Sequence, residues 1–180
     1  MPQNRPEERD DVAKRALSIA SAIAAADPGE RAAARRMDTR GSPLFWRQCA
    51  RLGIARHQED KWLRITRMLA LLTPTTARES IHQAKRDLGA ILADGGDARA
   101  RLDKPVVSEQ RLARLLAARG TSRLDALERA VRMIARARPK LDVTDIAWVA
   151  LREDSGNLAR AYYSRLDRHE DITNKENENA

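Results

Sequence analysis

The sequence predicts an all-α protein: two small helical bundles packed against each other, with no sheet. Apolar residues recur three and four positions apart in segment after segment, and no stretch alternates apolar with polar. Strand-favouring residues are sparse, aromatics making up 3% of the 180 residues. Proline and glycine fall where helices begin and end.

Residues 10–26 carry Val12, Leu17, Ile19, Ala20 and Ile23 as the apolar face of a first helix. Asp27-Pro28 reads as a cap followed by proline in the first turn of a second helix, and Ser42-Pro43 repeats that signal before a third, which Gly53 stops. A longer helix over about 57–72 sets Trp62, Ile65, Leu69 and Leu72 on one stripe, ended by Thr73-Pro74. Ile81, Ala84, Leu88, Ile91 and Leu92 suggest a further helix, closed by Gly95-Gly96. Residues 1–94 are thus an N-terminal bundle and 95–107 a loop or linker.

The C-terminal bundle covers 108–168. Ser108 is placed to cap a helix with Leu112, Leu115 and Leu116 on its core face, with Gly120 as its stop. Thr121 or Ser122 caps the next, through Leu124, Leu127, Val131 and Ile134, until Pro139 breaks it. Asp142 caps a helix through Ile146, Ala147 and Leu151, and a last one holds Leu158, Tyr162 and Leu166. The polar residues 169–180 are expected to form a disordered tail.

Composition narrows the chemistry. No apolar run approaches the ~18 residues of a membrane span, and the charged N-terminus lacks the apolar core of a secretory signal, so a cytoplasmic protein with no membrane partner is expected. One cysteine, Cys49, and three scattered histidines leave no disulfide framework and no Cys/His zinc site. Glu59-Asp60 and Asp10-Asp11 are adjacent pairs that point to different sides of a helix, His57 stands at a helix start, and His82 and His169 read as surface residues. No catalysis, cofactor, metal or small-molecule substrate is expected.

The basic side chains carry the signal. The net charge is +8, with Lys+Arg at 34, and lysine stands only at positions 14, 61, 85, 104, 140 and 175. Arginine binds phosphate bidentately and stays charged when partly buried. Residues 31–67 hold ten basic against three acidic side chains, and residues 108–140 nine against three. Arg129, Arg132 and Arg136 fall at i, i+3 and i+7, and Arg111 and Arg114 are neighbours on the preceding helix. Arg114, Arg119, Arg129 and Arg136 join the candidate site on this helical geometry. Trp62 and Tyr162 fit core stripes and leave few aromatic faces for stacking, so binding is expected to be backbone electrostatics with little sequence readout.

An ordered series of short motifs resembles one family. It runs through Pro43-Leu44-Phe45-Trp46-Arg47, Arg56-His57-Gln58, Leu88-Gly89 and Ser108-Glu109-Gln110-Arg111-Leu112-Ala113. It closes with Asp145-Ile146-Ala147-Trp148 and Ala161-Tyr162-Tyr163 before Arg165-Leu166-Asp167. Over roughly residues 42–167 the chain resembles CasB, the small subunit of the type I-E CRISPR surveillance complex, Cascade. The resemblance implies a non-catalytic antiviral subunit, present as two head-to-tail copies beside the other Cascade subunits. It also implies contacts to crRNA and target DNA that steady the hybrid and hold the displaced strand of the R-loop. Carried over position by position, it marks Arg56, Arg111 and Arg132, and more loosely Arg35 and Arg36, as nucleic-acid-binding. Two other readings compete: a helix-turn-helix transcriptional regulator around Ser108–Arg119 and the basic helix after it, and an adaptor whose arginines meet acidic protein surfaces.

Overall fold

The computed structural model describes residues 5–178 other than 77, 101, 103, 153 and 154, with side chains described only within 7–167. Its helices are α1 (Arg5–Ala25), α2 (Pro28–Arg36), α3 (Pro43–Leu52), α4 (Glu59–Leu72), α5 (Leu88–Asp94), α6 (Glu109–Ala117), α7 (Gly120–Ile134), α8 (Val143–Leu151) and α9 (Gly156–Glu178). A 3₁₀ turn, Arg56–Gln58, leads into α4. Among the described residues there is no sheet, only an isolated bridge between His82 and Leu141.

Local chemistry explains most of the starts. Asp27 accepts a hydrogen bond from the Glu30 N–H at 2.9 Å, with Pro28 at the first helical position. Ser42 does the same for Phe45 at 3.3 Å, and Asp142 for Thr144 at 3.0 Å. Gly53 ends α3 in a left-handed conformation.

The apolar stripes meet in one continuous core. Trp62, Ile65, Leu69 and Leu72 of α4 are wholly buried, as are Ala16, Ile19 and Ile23 of α1. Each large side chain so buried contributes about 1.5–3 kcal/mol. Helices on either side of residues 95–107 pack on one another: α1 lies on α8, α4 on α7, and α5 most extensively on α9. Gly89 permits the last contact, because a Cβ there would stand 2.2 Å from the Leu158 carbonyl oxygen. Tyr162 of α9 is buried and donates its hydroxyl to the Val107 carbonyl at 2.6 Å.

The loop 95–107 is tied down from α9. Arg165 reaches the buried Asp94 carboxylate at 2.8 Å and donates to the carbonyls of Asp97, Ala98 and Ala100. These partners satisfy a guanidinium that is otherwise expensive to bury.

The structure departs from the sequence reading in four places. Ile81 and Ala84 are not helical: Lys85 adopts a left-handed backbone (φ 63°), and the segment pairs with the chain before α8 through Gln83 N–H to Leu141 O at 2.8 Å. His82, read as a surface residue, is half-buried there and accepts the Val143 N–H through Nδ1 at 3.4 Å. Ser108 occupies the cap position of α6, but its hydroxyl makes no capping bond. Gly120 is the first residue of α7 rather than the stop of α6, and Arg119 stands at the cap position expected of Thr121 or Ser122. In addition, the α9 backbone continues through Glu178, across most of the segment expected as a tail. Once nucleated on a packed stem, a helix adds a hydrogen bond for each further residue fixed.

Candidate nucleic-acid interface

α6 and α7 form an antiparallel hairpin. Arg111, early in α6, lies against Met133 near the end of α7, its Nη1 3.8 Å from the sulfur. Arg119, between the helices, donates to the carbonyls of Leu116 and Ala118 at 2.9 and 3.0 Å, closing the end of α6. Arg111, Arg114, Arg129 and Arg136 are exposed. Met133 stands one helical turn from Arg129, so Arg111 shares the Arg129 face of the hairpin.

Arg132 belongs to a different group, on the flank of α7 that meets α4. Glu128, itself 6% exposed, accepts from Arg132 at 2.7 Å and from Arg67 of α4 at 2.6 Å. Arg64 pairs with Asp125 and approaches Glu128 at 3.9 Å. Burial pushes the Glu128 carboxyl up, but the hydrogen bonds and charges of Arg67 and Arg132 outweigh it and hold the group below its usual range. The three arginines expected as a stripe, Arg129, Arg132 and Arg136, are all exposed, and Arg132 in addition carries the ion pair to Glu128. α7 ends at Ile134, Arg136 lies in the turn beyond it, and Arg132 is engaged by Glu128.

At the end of this seam three helix C-termini come together. Arg35 of α2 donates through Nε to the Ala70 carbonyl at 2.9 Å and through Nη2 to Thr73 O, covering the open carbonyls of α4. Cations are favoured at that negative end of a helix. Arg35, Arg132, Arg136 and Arg138 line a hollow of ≈ 370 Å³ with Leu71, Thr73 and Ala135. No carboxylate lines it. Burial lowers the pKa of the Arg35 guanidinium, as do the charges of Arg31 and Arg138. Arg138 holds a left-handed backbone (φ 49°), a conformation costing about 1–2 kcal/mol for a residue with a side chain. Strain at a charged site is a pointer to function.

The remaining candidates lie apart. Arg36 is exposed at the end of α2. Arg56 is exposed at the opposite end of α4 from Arg35, and the 14 residues of that helix separate them by roughly 20 Å at ~1.5 Å per residue. Arg138 was missed by counting helical spacings because it sits past the helix. Its signal was the Arg-Pro step at 138–139. Arg123, counted with the basic segment, is 2% exposed and donates inward to Val149 O and Leu115 O. A recognition helix of a helix-turn-helix protein presents its N-terminal side chains outward.

Burial, and secondarily Glu59, pushes the Cys49 thiol up to about 11, far from a reactive thiolate. No group of three His, Cys, Asp or Glu among the described residues could hold a metal, and no described helix is long and apolar enough to cross a membrane.

The described residues thus form an all-α bundle with an arginine-lined hollow where the ends of α2, α4 and α7 meet. The chain belongs to the family of the CRISPR-associated protein Cse2, which matches residues 30–163. This is the CasB family of small subunits of type I-E Cascade, a structural family that associates with the other Cascade components. No curated protein and no solved structure matches the chain.

Proposed function

We propose that the chain is a non-catalytic, cytoplasmic Cascade subunit that holds nucleic-acid backbone without reading sequence, steadying the displaced DNA strand and the crRNA–target hybrid of the R-loop. Two head-to-tail copies beside the other subunits would extend its basic face along the strand. The observation that carries this is the hollow lined by Arg35, Arg132, Arg136 and Arg138 with no carboxylate. The charge of Arg138 bears on Arg35 unopposed in the lining, and a backbone phosphate would relieve that repulsion with charge-assisted, bidentate hydrogen bonds, beside an Arg132 already shared with Glu128. The exposed face of Arg111, Arg129 and Arg136 leads from the hollow along the α6–α7 hairpin, with Arg114 further along α6. Arg36 and Arg56 are secondary contacts of the same kind, and Arg119 joins them while closing α6.

The test is R-loop lifetime in assembled Cascade carrying R129E/R136E. Both side chains are exposed and neither pairs with Glu128, so folding and assembly are kept, which a thermal melt and size-exclusion chromatography check. The lifetime should shorten for every target sequence alike. An unchanged lifetime in a properly assembled complex overturns the reading.

A further inference from the structure

The outer face of α3 is unlike the rest of the basic surface. Its inner side chains, Leu44, Phe45, Gln48 and Cys49, are buried, and its outer face presents Pro43, Trp46, Arg47, Ala50 and Arg51. Trp46 is 44% exposed in a chain with three tryptophans. The other two are engaged: Trp62 is wholly buried, and Trp148 has the guanidinium groups of Arg9 and Arg152 over its ring at 5.5 and 5.8 Å.

The Trp46 ring is exposed yet held. Its Nε1–H donates to the Arg40 carbonyl at 2.8 Å, and Phe45 meets it edge-on with centroids 4.9 Å apart. The turn before α3 is shaped around it: Gly41 has φ 74°, and a Cβ there would stand 2.8 Å from Trp46 Nε1. Its neighbours one helical turn away on the outer face are Pro43 and Ala50, too short to cover the ring. Arg47 and Arg51, spaced i and i+4, form a basic ridge beside it, with Arg47 also reaching Glu30.

From this geometry we infer that Trp46 is a stacking platform for an unpaired nucleobase, with Arg47 and Arg51 taking the adjoining phosphates. Fixing the ring in advance lowers the ordering cost of binding, and an aromatic face beside arginines is the chemistry of sequence-tolerant single-strand binding. The inference rests on the strand-holding reading above and adds to it a preference for single strands containing bases.

The experiment compares an oligothymidylate with an abasic strand of equal length and charge, each titrated by fluorescence anisotropy into the full-length subunit. The wild type should bind the base-bearing strand roughly tenfold more tightly, the size of one stacked base. W46A should lose that preference while its affinity for the abasic strand stays the same, and W46F should keep most of it. If W46A retains the wild-type preference, the platform is overturned while strand holding stands. If W46A lowers both affinities equally, or only blocks assembly of Cascade, the ring is a structural or protein-contact residue and the inference fails. If the wild type binds neither strand, both readings fall.

Discussion

The seam between α4 and α7 and the hollow at its end are built from the same residue type and put it to opposite uses. In the seam, Arg64 and Arg67 find Asp125 and Glu128, and the result is adhesion between two parts of the chain. In the hollow, Arg35, Arg132, Arg136 and Arg138 gather with no carboxylate in the lining, and the proposed partner there is an anion from outside. Arg132 stands in both, with one side on Glu128 and the other on the hollow. An arginine's use is thus decided by what faces it across the fold, and counting charge along the chain does not separate the two.

The sharpest way to break the comparison is to remove the carboxylate on which the seam turns. Glu128→Ala leaves the largely buried Arg67 guanidinium without its carboxylate, and breaking such a buried pair costs about 3–5 kcal/mol. Urea denaturation should show that drop. A change below ~1 kcal/mol would mean the seam contributes nothing to stability. In the hollow the same kind of deletion acts on binding instead. Arg136→Ala should leave the melt in place and reduce the slope of log affinity against log salt by about 0.7–0.9, one phosphate contact, equally for every sequence.

Arg138→Gly probes the strain in the hollow. Relief of the left-handed backbone, ~1–2 kcal/mol, is offset by the added chain entropy of glycine, ~0.5–1 kcal/mol. The melt should therefore hold or rise slightly while strand affinity falls. A clear loss of stability would show that the side chain supports the fold instead.

The smallest effect is in pH. Glu128, held below its ordinary value of 4.5, contributes stability that is full above the unfolded carboxylate range and is lost as pH falls through its lower folded value. Asp145 is shifted the other way, raised first by burial and then by Asp142 and Asp87, against the opposing Leu88 N–H bond. The cost of its buried charge is relieved over the same acid descent. Thermal melts between about pH 6 and 3 should therefore show Glu128→Gln losing less stability on acidification than the wild type, and Asp145→Asn losing more. Parallel curves would remove both groups from the account.

What could be read beforehand was what is local. Asp27-Pro28, Ser42-Pro43 and Asp142 cap helices through side chains two or three residues away, and the Trp62 stripe is periodic within one helix. Ile81 and Ala84 misled because the partner of their segment, Leu141, lies far along the chain and no periodicity records a single bridge. The candidate site divides in the same way. Exposure of Arg111 and Arg129 follows from helical spacing, whereas the meeting of Arg35 with Arg138 depends on where α2 and the turn after α7 end in space. Trp46 stayed hidden because its motif position says nothing of which face of α3 is covered.

The packing of α1 on α8 bears on how the chain is made. Residues 5–25 emerge well before the helix they rest on, which begins at Val143, over a hundred residues later. At ~5–20 residues per second the interval is on the order of ten seconds. Throughout it the strip of Val12, Ile19 and Ile23 has only part of its final cover and is available to a chaperone or to a neighbouring nascent chain. Slowing translation should therefore lengthen the exposure of this strip, which would not happen in a bundle of sequentially paired helices.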